Sequence, residues 1–188
     1  MDWSDATALI VVDVQKGFDE PRWGPRNNPA AEKNIGSLIS AWRSHRWPIV
    51  FVRHDSRDPA SPLREGLEGF AFKDVVSGTP DLLVTKSSHS AFFGDPDLHL
   101  WLREHDIASI AICGIQTNVC CETTARMASD LGYSVLFVTD ATYTFDLVPH
   151  NGPAIRARDL ARATSLLIDA EFGATVHTEE LLGDADAG

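Results

Sequence analysis

The segment 107–132, IASIAICGIQTNVCCETTARMASDLG, predicts a strand that leads directly into a helix. Residues 107–113 are apolar and rich in β-branched side chains, which is typical of a buried parallel strand. Gly114 breaks this run, and Thr117 or Asn118 can cap a helix that continues to the end of the segment. The order strand, turn, helix indicates one unit of an α/β fold.

Cys120 falls at the start of this helix, where unpaired backbone N–H groups and the helix dipole lower the pKa of a thiol. We therefore expect a reactive nucleophile, and the same N–H groups can hold an oxyanion. The alternative is that Cys120 is a small buried hydrophobic residue. Cys113 and Cys121 fit that alternative better, and the adjacent pair 120–121 is not a CxxC motif of a redox or zinc site.

Apolar runs and helical periodicity alternate along the rest of the chain. Further strands are predicted at 6–12, 47–52, 81–85, 134–139 and 174–177, and further helices at 34–45, 97–105 and 153–170. This alternation predicts a mostly parallel six-stranded sheet with helices on both faces. We expect one domain over residues 1–182 and a frayed acidic tail over 183–188.

Three residues with chemically useful side chains follow separate predicted strands. Asp13 follows the first strand, Lys86 the third and Cys120 the fourth. Because ligands of open α/β sheets bind at the carboxyl ends of the strands, we expect these side chains to converge. Taken singly, Asp13 is also compatible with a helix cap or a turn, and Lys86 with a solvated surface lysine.

Composition restricts the partners and the compartment. The net charge of −11 argues against a nucleic-acid or anionic-membrane partner. No apolar run approaches the roughly 20 residues that span a bilayer. Residues 1–5 show no signal-peptide pattern, and three cysteines fit a reducing compartment, so we expect a cytoplasmic protein.

Three short segments resemble the motifs of the isochorismatase-like cysteine hydrolases. The segment 114–120, GIQTNVC, has a glycine six residues and a threonine three residues before the cysteine, as the family's nucleophile motif does. The segment 12–18, VDVQKGF, resembles the first motif, and 86–92, KSSHSAF, resembles the second. The resemblance extends over about residues 6–178.

The resemblance implies a three-layer α-β-α fold with strand order 3-2-1-4-5-6, which places Asp13 beside Cys120. It implies that Cys120 is the nucleophile and Asp13 the base. It implies that Lys86 holds the Asp13 carboxylate and the Cys120 thiolate by charge-assisted hydrogen bonds. It also implies a cis peptide bond between Ile115 and Gln116, and an oxyanion hole formed by the backbone N–H groups of Gln116 and Cys120. The substrate-binding residues that we expect are Phe18, Trp23, His54, His89, Phe92 and Tyr143.

The implied reaction is hydrolysis of a C–N bond in a small amide, ureido or lactam substrate through a thioester. Hydrolysis of the vinyl ether of isochorismate and a catalytically silent binding role are the alternatives. His54 invites a metal interpretation, but Val52 stands where the metal-using nicotinamidases have an aspartate, so we expect no metal or other cofactor. Arg53 or Arg64 can bind a substrate carboxylate.

Two expectations concern assembly. The long segment 56–78 is either a lid or part of a site that a neighbouring subunit completes. Members of the family are commonly dimers or larger, so we expect a homodimer or a larger homo-oligomer.

Overall fold

The computed structural model describes residues 7–185, which form a six-stranded sheet in the order β3-β2-β1-β4-β5-β6. All neighbouring strands are parallel. The strands are β1 Thr7–Val12, β2 Ile49–His54, β3 Leu82–Lys86, β4 Ser109–Ile115, β5 Ser134–Tyr143 and β6 Ala174–Val176. The predicted fold class and strand order are confirmed.

Helices cover both faces of the sheet, so the three-layer arrangement is confirmed. The α-helices are α1 Ala31–His45, α2 Leu98–Glu104, α3 Glu122–Asp130, α4 Ala157–Leu167 and α5 Thr178–Ala185. Shorter 3₁₀ or π-helical turns are Lys16–Asp19, Pro21–Trp23, Glu68–Phe70, Ala91–Phe93, Thr117–Cys121 and Ile168–Phe172. One apolar core joins the sheet to α1 and α5, and a second joins its other face to α2 and α3.

The central strand β1 shows why the sequence reads as a continuous apolar run. Leu9 and Val11 pack into the core beside α1, whereas Ile10 and Val12 pack into the opposite core. Since both faces of β1 are buried, the strand has no solvent-facing side on which polar residues would alternate.

The strand β5 is longer than predicted. It continues past Thr139 to Tyr143, because the register against β4 shifts after Ile112 and the pairing resumes at Gly114 and Ile115. Tyr143 is therefore a strand residue, although the predicted strand ends at residue 139.

Other boundaries also differ from the predictions. The helix predicted from residue 153 begins only at Ala157, because Leu147 and Ile155 pair in an antiparallel bridge before it. The helix α5 was not predicted, and it extends three residues into the expected acidic tail. Ala6 and residues 186–188, which belong to the predicted first strand and tail, lie outside the described residues. Within residues 7–185, no helix is long and apolar enough to span a bilayer.

Candidate active site

Asp13 lies directly beyond the carboxyl end of β1 and is fully buried. Its φ is 53°, in the left-handed region, and its backbone N–H donates to the carbonyl of Val52. The carboxylate oxygen Oδ2 accepts a hydrogen bond of 2.6 Å from Lys86. Among the described residues, the other oxygen, Oδ1, has no hydrogen-bond partner although it is buried. That oxygen is available to accept a proton.

Lys86 is the last residue of β3, and its register partner on the intervening strand β2 is His54. Its ammonium donates to Asp13 and to the carbonyl of Ser88, and it lies 3.4 Å from Nδ1 of His54. Burial lowers the pKa of Lys86, but the Asp13 carboxylate and Cys120 outweigh burial and raise it above its ordinary value. The ammonium therefore stays charged in the interior.

Cys120 lies in the π-helical turn that links β4 to α3, and its exposed fraction is 7%. Burial and the negative charge of Asp13 raise the pKa of the Cys120 thiol, and the opposing influence of Lys86 is weaker. The expectation of a lowered thiol pKa is wrong, because desolvation by burial and the neighbouring Asp13 carboxylate raise this pKa. A protonated thiol in this position needs a base before it can attack.

The capping prediction for this turn is also wrong. The turn follows Gln116 without a side-chain cap. The hydroxyl of Thr117 donates instead to Thr142, and the side-chain oxygen of Asn118 accepts from Thr144. Both side chains thus fix the turn to the extended part of β5 and its following residue.

The backbone before the turn has two special features. The peptide bond between Ile115 and Gln116 is cis, at the position that the resemblance implied. Gly114 has a φ of 131°, and a Cβ at this position would lie 2.0 Å from the carbonyl oxygen of Val12. Because β4 approaches β1 this closely, only glycine fits where the two strands end.

A cavity of about 210 Å³ opens onto Cys120. We call it the Cys120 cavity; it is lined by Asp13, Phe18, Trp23, His54, Ser56, Asp58, Ser61, Leu63, His89, Gln116, Val119 and Cys120. Three further hollows of about 380, 500 and 230 Å³ lie elsewhere on the described surface, and Cys120 lines none of them. Because it contains the carboxylate and the thiol, the Cys120 cavity is the candidate active site.

Four of the six predicted substrate-binding residues line this cavity: Phe18, Trp23, His54 and His89. The structure places the other two elsewhere. Phe92 stacks on Tyr133 in the apolar core. Tyr143 is fully buried, where its hydroxyl accepts from Lys73 and its ring lies 3.7 Å from the guanidinium of Arg26.

Neither arginine that we expected to bind a carboxylate lines the cavity. Arg53 donates to the hydroxyl of Thr85 and lies over the ring of Phe70, since successive strand residues point to opposite faces. Arg64 donates to the carbonyl of Pro59 within its own loop. The expectation of a carboxylate-binding role for these two residues is therefore wrong.

Gln15 has a role that the sequence analysis did not assign. Its buried side-chain amide donates to the carbonyls of His54 and Phe70, and its oxygen accepts from the N–H of His54. One side chain thus joins the end of β1, the end of β2 and the long segment 56–78. Its place in the 12–18 motif was the signal that pointed to it.

The two other cysteines lie in the cores. Cys113 and Cys121 are fully buried, on opposite faces of the sheet, and burial raises the pKa of both thiols. Across residues 7–185, no group of three or more His, Cys, Asp or Glu side chains is arranged to hold a metal ion.

Solved structures show the same architecture. A structure described as a hydrolase of the isochorismatase family from Chromobacterium violaceum superposes with a TM-score of 0.92 at 32% identity, covering 98% of this chain and 96% of that chain. A cysteine hydrolase from Pseudomonas syringae pv. phaseolicola superposes with a TM-score of 0.88 at 28% identity, covering 100% of this chain and 96% of that one.

Sequence comparison agrees with the structural likeness. The uncharacterized isochorismatase family protein YrdC of Bacillus subtilis is 34% identical over 178 residues, which cover 94% of this chain and 95% of YrdC. Nicotinamidase 3 of Arabidopsis thaliana is 29% identical over 182 residues, covering 89% and 87% of the two chains. The family profile of the isochorismatase domain matches residues 7–166. The chain therefore belongs to the isochorismatase family of hydrolases.

Proposed function

We propose that this hydrolase cleaves a C–N bond of a small amide, ureido or lactam substrate through a thioester on Cys120. The observation that carries the proposal is the convergence of three side chains from separate strand ends. A buried carboxylate and a thiol line one cavity, the carboxylate has a free oxygen, and a buried ammonium pairs with that carboxylate. The amide-hydrolysing relative Nicotinamidase 3 supports a C–N bond as the target.

In the first half of the reaction Asp13 acts as the base, because a thiol with a raised pKa is protonated and must lose its proton before it attacks. Asp13 takes the proton from the Cys120 thiol as the sulfur attacks the substrate carbonyl carbon, forming an S–C bond. The backbone N–H groups of Gln116 and Cys120 hold the resulting oxyanion. The C–N bond then breaks, and the leaving nitrogen takes the proton from Asp13, which leaves a thioester.

The second half regenerates the thiol. Asp13 takes a proton from a water molecule as the water oxygen attacks the thioester carbonyl carbon. The C–S bond then breaks, the carboxylic acid leaves, and the proton on Asp13 returns to Cys120. Lys86 holds the Asp13 carboxylate in position through both halves by a charge-assisted hydrogen bond of 2.6 Å.

Ammonia release from a panel of small primary amides and ureido compounds tests the proposal. We expect turnover by the wild type and none above background by Cys120→Ala. Cys121→Ala is the matched control, because it removes the adjacent thiol from the core and leaves the cavity unchanged. Retained turnover in Cys120→Ala would overturn the mechanism. Pyruvate release from isochorismate would instead support vinyl-ether hydrolysis.

A further inference from the structure

We propose that the Cys120 cavity selects uncharged or cationic substrates and rejects carboxylates, an inference that rests on the proposed hydrolase function. The side chains that line it include two carboxylates, Asp13 and Asp58. Among the described residues, no lysine or arginine lines it. A substrate carboxylate that enters would lose water without gaining an ion pair, which is costly.

The Lys86 ammonium, behind the cavity, is already paired with a protein carboxylate. Lys86 pairs with Asp13 at 2.6 Å, and both side chains are fully buried. The ammonium also donates to the carbonyl of Ser88 and lies 3.4 Å from Nδ1 of His54. Because the charges of Lys86 and Asp13 compensate each other, the pair gives a substrate anion little net attraction.

The arginines of the surrounding loops are directed to protein atoms. Besides Arg53 and Arg64, Arg57 donates to the hydroxyl of Ser87 and Arg22 to the carbonyl of Ala60. These bonds hold the guanidinium groups against the loop surface. Within residues 7–185, the loops that enclose the cavity thus contribute no lysine or arginine to its lining.

His54 does not replace the missing cation. Burial and the nearby ammonium of Lys86 lower the pKa of His54, and the Asp13 carboxylate opposes them less strongly. The imidazole is therefore neutral near neutral pH. A neutral imidazole donates or accepts a hydrogen bond but does not neutralise a carboxylate.

The remaining lining suits a compact neutral group. The hydroxyls of Ser56 and Ser61 each accept a backbone N–H of their own loop, so that their own O–H groups can donate to a substrate carbonyl. Phe18 and Trp23, with ring centroids 5.0 Å apart, form an aromatic wall. The volume of about 210 Å³ is below the roughly 300–1,000 Å³ of pockets for drug-sized ligands. A small uncharged amide or urea, or a cationic one beside Asp58, matches this lining.

Two alkylating reagents of nearly equal size test the selectivity without a known substrate. Iodoacetamide is neutral and carries a primary amide, whereas iodoacetate carries a carboxylate. The rate of labelling at Cys120 by each reagent is measured site-specifically by mass spectrometry and divided by its rate with glutathione.

Asp58→Asn removes the anionic charge at the cavity and keeps the side-chain oxygen that caps the N–H of Ala60. Asp74→Asn is the matched control, since Asp74 is 97% exposed and lies outside the cavity lining.

We expect normalised labelling of Cys120 to be about tenfold faster with iodoacetamide, as one repulsive charge at close range predicts. Asp58→Asn should lower the ratio of the iodoacetamide rate to the iodoacetate rate severalfold, and Asp74→Asn should leave this ratio unchanged. Equal or faster labelling by iodoacetate would overturn the proposed selectivity. The same ratio of the two reagent rates in Asp58→Asn and Asp74→Asn would also overturn it. Absence of labelling by both reagents would also overturn it, because the cavity would then not admit a two-carbon amide. The ammonia screen with Cys120→Ala tests the hydrolase proposal separately, since labelling requires no turnover.

Discussion

The ammonium of Lys86 lies 2.6 Å from the carboxylate of Asp13, and neither side chain is exposed to solvent. The two residues are 73 positions apart in the chain and come from the ends of β3 and β1, with β2 between them. A buried ion pair of this kind contributes little net stability, but either charge left alone in the interior is strongly destabilising. The proposed mechanism gives both charges of this pair a function beside the Cys120 thiol.

Removal of one partner should therefore destabilise the fold far more than removal of both. We expect Lys86→Met to lower the free energy of unfolding by about 3–5 kcal/mol, because the Asp13 carboxylate loses its partner. The double variant Asp13→Asn/Lys86→Met should recover most of this loss. Urea unfolding of the wild type, both single variants and the double variant measures the coupling. Losses that simply add in the double variant would contradict the interpretation.

Gln15 should act as a structural anchor of the site. Gln15→Leu keeps a side chain of similar size but leaves two carbonyls and the N–H of His54 without their partner. We expect a loss of about 2–4 kcal/mol of unfolding free energy, since each buried group left unpaired costs about 1–3 kcal/mol. Urea unfolding measures this loss, and Gln116→Leu, at a half-buried position, is the control. Equal stability of Gln15→Leu and the wild type would show that the anchor is dispensable.

Glu32 should make stability depend on pH in the acid range. Burial raises the pKa of Glu32, but hydrogen bonds from Arg26 and Lys73 outweigh burial and lower the pKa to about 2. Because the pKa is lower in the folded state than the ordinary 4.5, ionised Glu32 favours folding above that pH. This contribution is lost as the pH falls from about 4.5 towards 2.

The variant Glu32→Gln should consequently be less stable near neutral pH and lose less stability on acidification. Urea midpoints recorded between about pH 7 and pH 3 provide the measurement. Asp74→Asn, at a side chain that is 97% exposed, is the control and should follow the wild-type curve. An acid dependence that is identical in Glu32→Gln and the wild type would refute the assignment.

The sequence was sufficient to predict the sheet and the convergence at its edge. The buried strands are short apolar runs, and the parallel order brings Asp13, Lys86 and the turn with Cys120 to the same end. Strand positions, together with the rule that strand ends meet at one edge, were enough to predict this convergence. The strand order came from the resemblance, because periodicity alone does not specify which strands are neighbours.

Properties that depend on three-dimensional proximity were not predictable in this way. The thiol pKa was predicted with the wrong sign, because the helix dipole can be inferred from sequence whereas desolvation and the distance to Asp13 cannot. The sequence did not predict Tyr143 as a strand residue, because the register shift between β4 and β5 has no local pattern. Its buried contact with Lys73 joins residues 70 positions apart.

The measurement that tests the central claim most directly is the pH dependence of Cys120 alkylation by iodoacetamide in the wild type and in Asp13→Asn. We expect labelling at Cys120 and none at the buried Cys113 and Cys121. In Asp13→Asn the profile should move to lower pH, because the carboxylate that raises the thiol pKa is gone and Lys86 remains. Amide hydrolysis should meanwhile fall by about 10²–10⁴-fold with the loss of the base. A Cys120 profile that Asp13→Asn leaves unchanged, or equally slow labelling of all three cysteines, would contradict the account.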